Sequence, residues 1–85
     1  MYKILISAKV MKELLALDAK SYLKIRERIF SFEAEPRPIG SLKLTNQDGY
    51  RDRVGNYRIL YEIDDIEKTV KILKVGHRKD VYRSN

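Results

Sequence analysis

The stretch Tyr50-Arg51-Asp52-Arg53-Val54-Gly55-Asn56-Tyr57-Arg58-Ile59-Leu60-Tyr61 restricts the fold more than any other part of the chain. Gly55-Asn56 lies between two alternating segments, and such a dipeptide is a signal for a two-residue hairpin turn. A turn that tight pairs Val54 with Tyr57, Arg53 with Arg58, Asp52 with Ile59, Arg51 with Leu60 and Tyr50 with Tyr61. Side chains alternate along a strand, so Arg51, Arg53 and Arg58 share one face of the ribbon. Tyr50, Val54, Tyr57, Ile59 and Tyr61 take the other. Like charges set directly opposite each other in a sheet repel. Arg53 against Arg58, with Arg51 beside them, calls for an anion.

The rest of the chain supplies a scaffold for that face. Tyr2-Lys3-Ile4-Leu5-Ile6 reads as a first strand. Ser7 is placed to cap a helix from Ala8 to about Leu17, and Asp18 to cap a second from Ala19 to about Ala34. Val10, Met11, Leu14, Leu15 and Leu17 recur at helical spacing in the first. Tyr22, Ile25, Ile29 and Phe32 form the stripe of the second, widened by Leu23 and Phe30. Met11, Phe30 and Phe32 are therefore expected in the core. Pro36, Pro38 and Gly40 end the helical pair. Ser41–Thr45 alternates as a short strand, and Asn46-Gln47-Asp48-Gly49 follows as a turn. The hairpin strands run over Tyr50–Val54 and Tyr57–Ile63. Asp64–Lys68 reads as another, solvated turn. Thr69–Val75 is an apolar, β-branched strand suited to the middle of a sheet. Its facing is ambiguous, because Val70 and Ile72 take one parity while Leu73 and Val75 take the other. A helical turn over Lys79–Arg83 closes the chain.

The expected order is β-α-α-β-β-β-β: an α+β fold with a twisted, mostly antiparallel sheet and a helical hairpin packed on one face. Tyr57, Ile59, Tyr61 and Ile63 should point into that packing, leaving the arginine face uncovered. At 85 residues the chain is expected to form a single domain over 1–85. With 44% hydrophobic and 35% charged residues it has the balance of a soluble globular protein. No apolar run approaches the roughly 18 residues of a membrane span. The lack of cysteine fits a reducing cytosol and removes thiolate chemistry. Eighteen Lys and Arg against twelve Asp and Glu leave a net charge of +6, which favours a polyanionic partner.

Several chemistries have no residues to carry them. The chain has no Gly-x-Ser-x-Gly elbow, no phosphate-binding glycine loop and only one histidine. Asp64, Asp65 and Glu67 lack the spacing of a calcium loop. The arginines remain. Their forked donors match phosphate oxygens, whereas the plainer reading pairs some of them with Asp52, Glu62 or Asp80. Three on one face, two of them opposed, favour the phosphate. Arg78 leaves the last strand near the same end, with Tyr82 four residues on.

The segments Tyr50–Ile63 and Val75-Gly76-His77-Arg78-Lys79-Asp80-Val81-Tyr82 resemble the RelE branch of the RelE/ParE toxin superfamily, and the likeness extends upstream through Pro36-Arg37-Pro38 to the β-α-α opening. The resemblance implies the toxin of a type II toxin–antitoxin pair: a cytoplasmic, ribosome-dependent endoribonuclease that uses no metal or other cofactor. Such toxins cut messenger RNA in the ribosomal A site by attack of a ribose 2′-hydroxyl on the neighbouring phosphate, leaving a 2′,3′-cyclic phosphate. By position, Arg58 and Arg78 match arginines that bind the scissile phosphate, and Tyr82 matches a tyrosine that stacks on the substrate nucleotide. Arg51 and Arg53 stand where the family carries basic residues on the strand before the turn. Lys43 and Lys79 are further candidates for substrate binding. Some relatives have lysines where this chain has Arg51 and Arg53. Arginine stays protonated, so these residues are clamps and not bases. His77 has the right intrinsic pKa for a general base, although a strand-end histidine facing away is the plainer reading. The implied partners are the ribosome with its message and a small antitoxin, acidic or partly disordered. Two other readings stand beside this one, a ParE-like gyrase inhibitor without nuclease activity and a non-enzymatic nucleic-acid-binding module.

Overall fold

The structure, a computed structural model, describes residues 1–45 and 47–81. Asn46, Tyr82 and the end of the expected C-terminal turn lie outside the described residues. The elements are β1 (Lys3–Ile6), α1 (Ala8–Leu15), α2 (Ala19–Ser31), β2 (Leu42–Lys43), β3 (Tyr50–Val54), β4 (Tyr57–Asp64), β5 (Thr69–His77) and α3 (Arg78–Val81). They form a five-stranded sheet of order β1-β5-β4-β3-β2, in which β1 and β5 pair parallel and every other pair is antiparallel. This is the expected α+β architecture. No described helix is long and apolar enough to cross a membrane.

Both main helices begin where a side chain caps them. Ser7 Oγ accepts from the Val10 amide at 3.2 Å, and Asp18 accepts from the Ser21 amide at 3.1 Å. Each ends about two to three residues earlier than its apolar pattern. Ala16 and Leu17 are spent on the turn into α2, where Asp18 must be extended to act as a cap. Phe32, Glu33 and Ala34 tighten into i→i−3 bonds before Pro36, a common way to finish a helix.

Val10 and Leu14 of α1 and Ile25, Ile29 and Phe32 beyond them pack against Ile59, Tyr61, Val70, Ile72 and Val75 of the sheet. Tyr61 lies at the centre, its ring stacked on Phe32 at 4.3 Å between centroids. Its hydroxyl donates to the Pro36 carbonyl at 2.7 Å, which fastens the crossover after α2 to the core. Tyr57 and Ile63 are half-buried against the same cluster. Met11 and Phe30, expected in the core, are instead 40% and 43% exposed, because the apolar stripe is wider than the sheet beneath it. Phe30 lies under the Arg26 guanidinium at 5.3 Å, which keeps one face of its ring covered.

The β3–β4 hairpin has the register read from its turn: Val54↔Tyr57, Arg53↔Arg58, Asp52↔Ile59, Arg51↔Leu60 and Tyr50↔Tyr61. Gly55 has φ +58° and Asn56 is not left-handed, the pattern of a turn that needs glycine only at its first central position. The ambiguous facing of β5 is resolved by a bulge. Lys74 pairs with Leu60 and Ile72 with Tyr61, so Leu73 is an extra residue. It reverses the parity, and Val70, Ile72 and Val75 all reach the core. β2 is shorter than its alternation suggested, because Leu44 already donates to the Gly49 carbonyl at 2.9 Å to close the loop. Beyond Arg51, therefore, β3 is a free edge.

Candidate functional site

The hairpin places Arg53 and Arg58 side by side on the face away from the helices. Across the sheet Arg58 pairs with Gly76, so no side chain stands against it from β5. The two arginines differ in setting. Arg53 is exposed, whereas Arg58 is only 8% exposed, which corrects the expectation of a uniformly uncovered face. Arg58 Nη1 donates to the Tyr57 carbonyl at 3.2 Å, and its enclosed Nε has no hydrogen-bond partner among the described residues. Enclosing a guanidinium donor without an acceptor costs free energy, and such exceptions in native proteins mark positions held for another purpose.

Arg78 is brought to the same end through the backbone. Its amide donates to the Asn56 carbonyl at 2.9 Å, tying the start of α3 to the tip of the hairpin. Arg78 and Lys79 are both exposed. Among the described residues Arg53, Arg58 and Arg78 form no ion pair, and all three are carried by the hairpin or by the residue tied to its tip. The Asp80 side chain, a candidate partner in the sequence, lies outside what the structure describes. Arg51 lies on the same face one row away, between Leu42 and Leu60, and is half-buried.

Other candidates are set apart. Lys43 pairs with Tyr50 and so shares the tyrosine face. His77 pairs with Tyr57, its ring edge-on at 5.8 Å between centroids, and this places it on the face opposite Arg58. Its Nδ1 accepts from the Lys79 amide at 3.3 Å. Tyr82 lies outside the described residues.

Two close ion pairs were missed by the sequence reading, as was a longer one between Lys74 and Glu13 at 3.9 Å. Asp52 is 1% exposed and is held by Arg28 of α2, with Nε on one carboxylate oxygen at 2.5 Å and Nη2 on the other at 3.2 Å. The hydrogen bond to Asp52 raises the Arg28 pKa above its ordinary value. The signal was a lone aspartate between Tyr50 and Val54 on an otherwise apolar face, which requires a cation from the layer above. The second pair joins Arg37 to Asp65 at 2.8 Å, with Tyr2 donating to the same carboxylate at 2.6 Å and Arg37 donating to the Tyr50 hydroxyl at 3.0 Å. The β4–β5 turn is thus anchored at Asp65 instead of being wholly solvated. The Arg37 and Tyr2 bonds lower the Asp65 pKa to about 2. Asp64 serves the turn itself, accepting from the amides of Ile66 and Glu67.

A concavity of about 630 Å³ lies towards Asp65 and contains none of Arg53, Arg58 and Arg78. Its lining mixes Arg37, Lys43 and Lys71 with Asp48, Glu62 and Asp64, so it offers no net field to a polyanion. The arginine corner is the better site on chemistry, though not on size.

The sequence pattern described as the ParE toxin of type II toxin–antitoxin systems, parDE, matches residues 4–82. Toxin RelG of Mycobacterium tuberculosis is 46% identical over 50 residues, an alignment spanning 58% of this chain and 58% of RelG. The chain thus matches a little over half the length of that relative. In the archaeal RelE–RelB complex from Pyrococcus horikoshii OT3, one chain is 34% identical with a TM-score of 0.77, covering 91% of this chain and 94% of that one. A chain of the toxin–antitoxin complex RelBE2 from Mycobacterium tuberculosis superposes with a TM-score of 0.79 at 28% identity, covering 91% and 98%. With a family match over most of its length and the same arrangement of helices and sheet as these structures, the chain belongs to the RelE/ParE superfamily, as a toxin of a type II toxin–antitoxin system.

Proposed function

We propose that this toxin is a ribosome-dependent endoribonuclease that cleaves messenger RNA in the A site. The observation that carries the reading is the arginine corner: Arg58, enclosed with an Nε unpartnered among the described residues, opposed to Arg53, with the Arg78 amide tied to the hairpin tip at Asn56. The reaction needs the 2′-hydroxyl of one nucleotide to reach the next phosphorus while negative charge grows on the phosphoryl oxygens. Fixed guanidinium donors aimed at those oxygens stabilise the charge without reorganising, which is the largest single term in many enzymes. Arg58 and Arg78 bind the scissile phosphate, and Arg53 holds the backbone beside it. Tyr82 stacks on the substrate base. Arg51, Lys43 and Lys79 add attraction for the message. None of the arginines takes the proton, so the base comes from the substrate complex or from outside the arginine face.

Arg58→Ala and Arg78→Ala should each lower cleavage on programmed ribosomes by about 10²–10³-fold while leaving the fold intact. Wild-type cleavage by both variants would refute the clamp. A second reading follows from the ParE pattern that the sequence matches: inhibition of DNA gyrase without nuclease activity. A supercoiling assay separates the two, since gyrase inhibition with translation unaffected would remove the nuclease reading. Under either reading the partner is a cognate antitoxin. The two solved relatives described above are chains of toxin–antitoxin complexes, and a net charge of +6 suits an acidic segment.

A further inference from the structure

We propose that the Arg28–Asp52 pair is a positioning device for Arg53, which fixes the phase of that arginine opposite Arg58; the inference rests on the nuclease reading. In an antiparallel ladder successive residues direct their amides alternately to the two neighbouring strands. Val54 and Tyr57 flank the two-residue turn and bond to each other, so the Arg53 amide points away from β4 towards the place where β2 would continue. β2 reaches only Tyr50 and Arg51. The Arg53 amide donates instead to Asp52 Oδ1 at 2.9 Å. The same oxygen receives Arg28 Nη2, and its twin receives Arg28 Nε. The carboxylate thereby stands in for the missing strand, and its orientation is set by a fork from α2.

The pair has little reason to exist for stability alone. A buried ion pair is often replaced by apolar residues of similar size at no loss, because removing the charges from water offsets their attraction. What apolar residues do not supply is the acceptor for the Arg53 amide. An edge strand without it is free to fray or slip, and Arg53 sits on that edge. A displacement of about 1 Å in a clamp can cost about 10²-fold in rate.

The test uses purified full-length toxin on ribosomes holding a defined message, with hydrogen exchange at the Arg53 amide as a second readout. Arg28→Met combined with Asp52→Leu keeps the packing and removes the acceptor. It should melt close to wild type, exchange the Arg53 amide faster, and cut with kcat lowered about 10- to 100-fold while KM stays within about twofold. Asp52→Asn keeps an acceptor oxygen and should retain most of kcat. Arg28→Lys keeps the charge without the fork and should fall between. Adding Arg53→Ala to the double variant should cost little further, since its contribution is already lost. Wild-type kcat in the folded double variant, or a loss that adds in full to that of Arg53→Ala, overturns the proposal. A wild-type protein that leaves ribosome-held message uncut overturns the nuclease reading and this inference with it.

Discussion

Arg58 and Asp52 show how differently two charged residues are read from one strand pair. The arginines on one face follow from the turn at Gly55-Asn56, because pairing and alternation are local rules. The environment of Asp52 does not, since Arg28 is 24 residues away and meets it only when α2 is laid across the sheet. The facing of His77 depends on pairing with Tyr57, which the hairpin alone does not reveal. General bases contribute about 10²–10⁴-fold, so His77→Gln is a sharp check on that placement. It should lower cleavage by less than about threefold, against the 10²-fold or more expected for Arg58→Ala. Asp65 gives a prediction in pH. Its folded pKa of about 2 lies below the ordinary 3.8, so its contribution to stability is full above about pH 4. That contribution is lost as pH falls towards 2. The stability difference between wild type and Arg37→Ala should narrow over that window in denaturant melts. A difference constant from pH 6 to pH 2 would show that the Arg37–Asp65 contact does not persist in solution.

At the scale of elements, what is local was readable and what is tertiary was not. Caps at Ser7 and Asp18, the hairpin register and the strand character of Thr69–Val75 all follow from neighbours in the chain. The bulge at Leu73 was visible only as a conflict of parity, and resolving it required β4 alongside. The end of β1 at Ile6 has a similar consequence. It leaves the Val75 amide without a strand neighbour, and the Glu13 carboxylate of α1 accepts it at 2.9 Å. The crossover after α2 depends on Tyr61, whose hydroxyl bonds the Pro36 carbonyl inside the core. Tyr61→Phe keeps the stacked ring but leaves that carbonyl unsatisfied, and should destabilise the fold by about 1–3 kcal/mol in urea titration. An unchanged midpoint would mean that the crossover is held by other contacts.

For the molecule as a whole, the helices cover one face of the sheet and occupy its apolar residues, so the cations are left to the other face and the edges. That division follows from amphipathic patterning and was largely readable in advance. Membership in the RelE/ParE superfamily agrees with the fold, and in this chain the Arg78 amide ties the start of α3 to the tip of the β3–β4 hairpin. Fold alone does not choose between a ribosome and a gyrase. The proposed nuclease reading rests on the arginine corner, because an enclosed guanidinium has a use in clamping a phosphate and none in merely covering a protein surface. The most direct measurement is to add purified toxin to ribosomes carrying a message with an empty A site, map the cut and identify the new 3′ end. A cut within the A-site codon ending in a 2′,3′-cyclic phosphate, with the same message untouched off the ribosome, is the predicted result. Intact ribosome-bound message, together with inhibited supercoiling by gyrase, would contradict it.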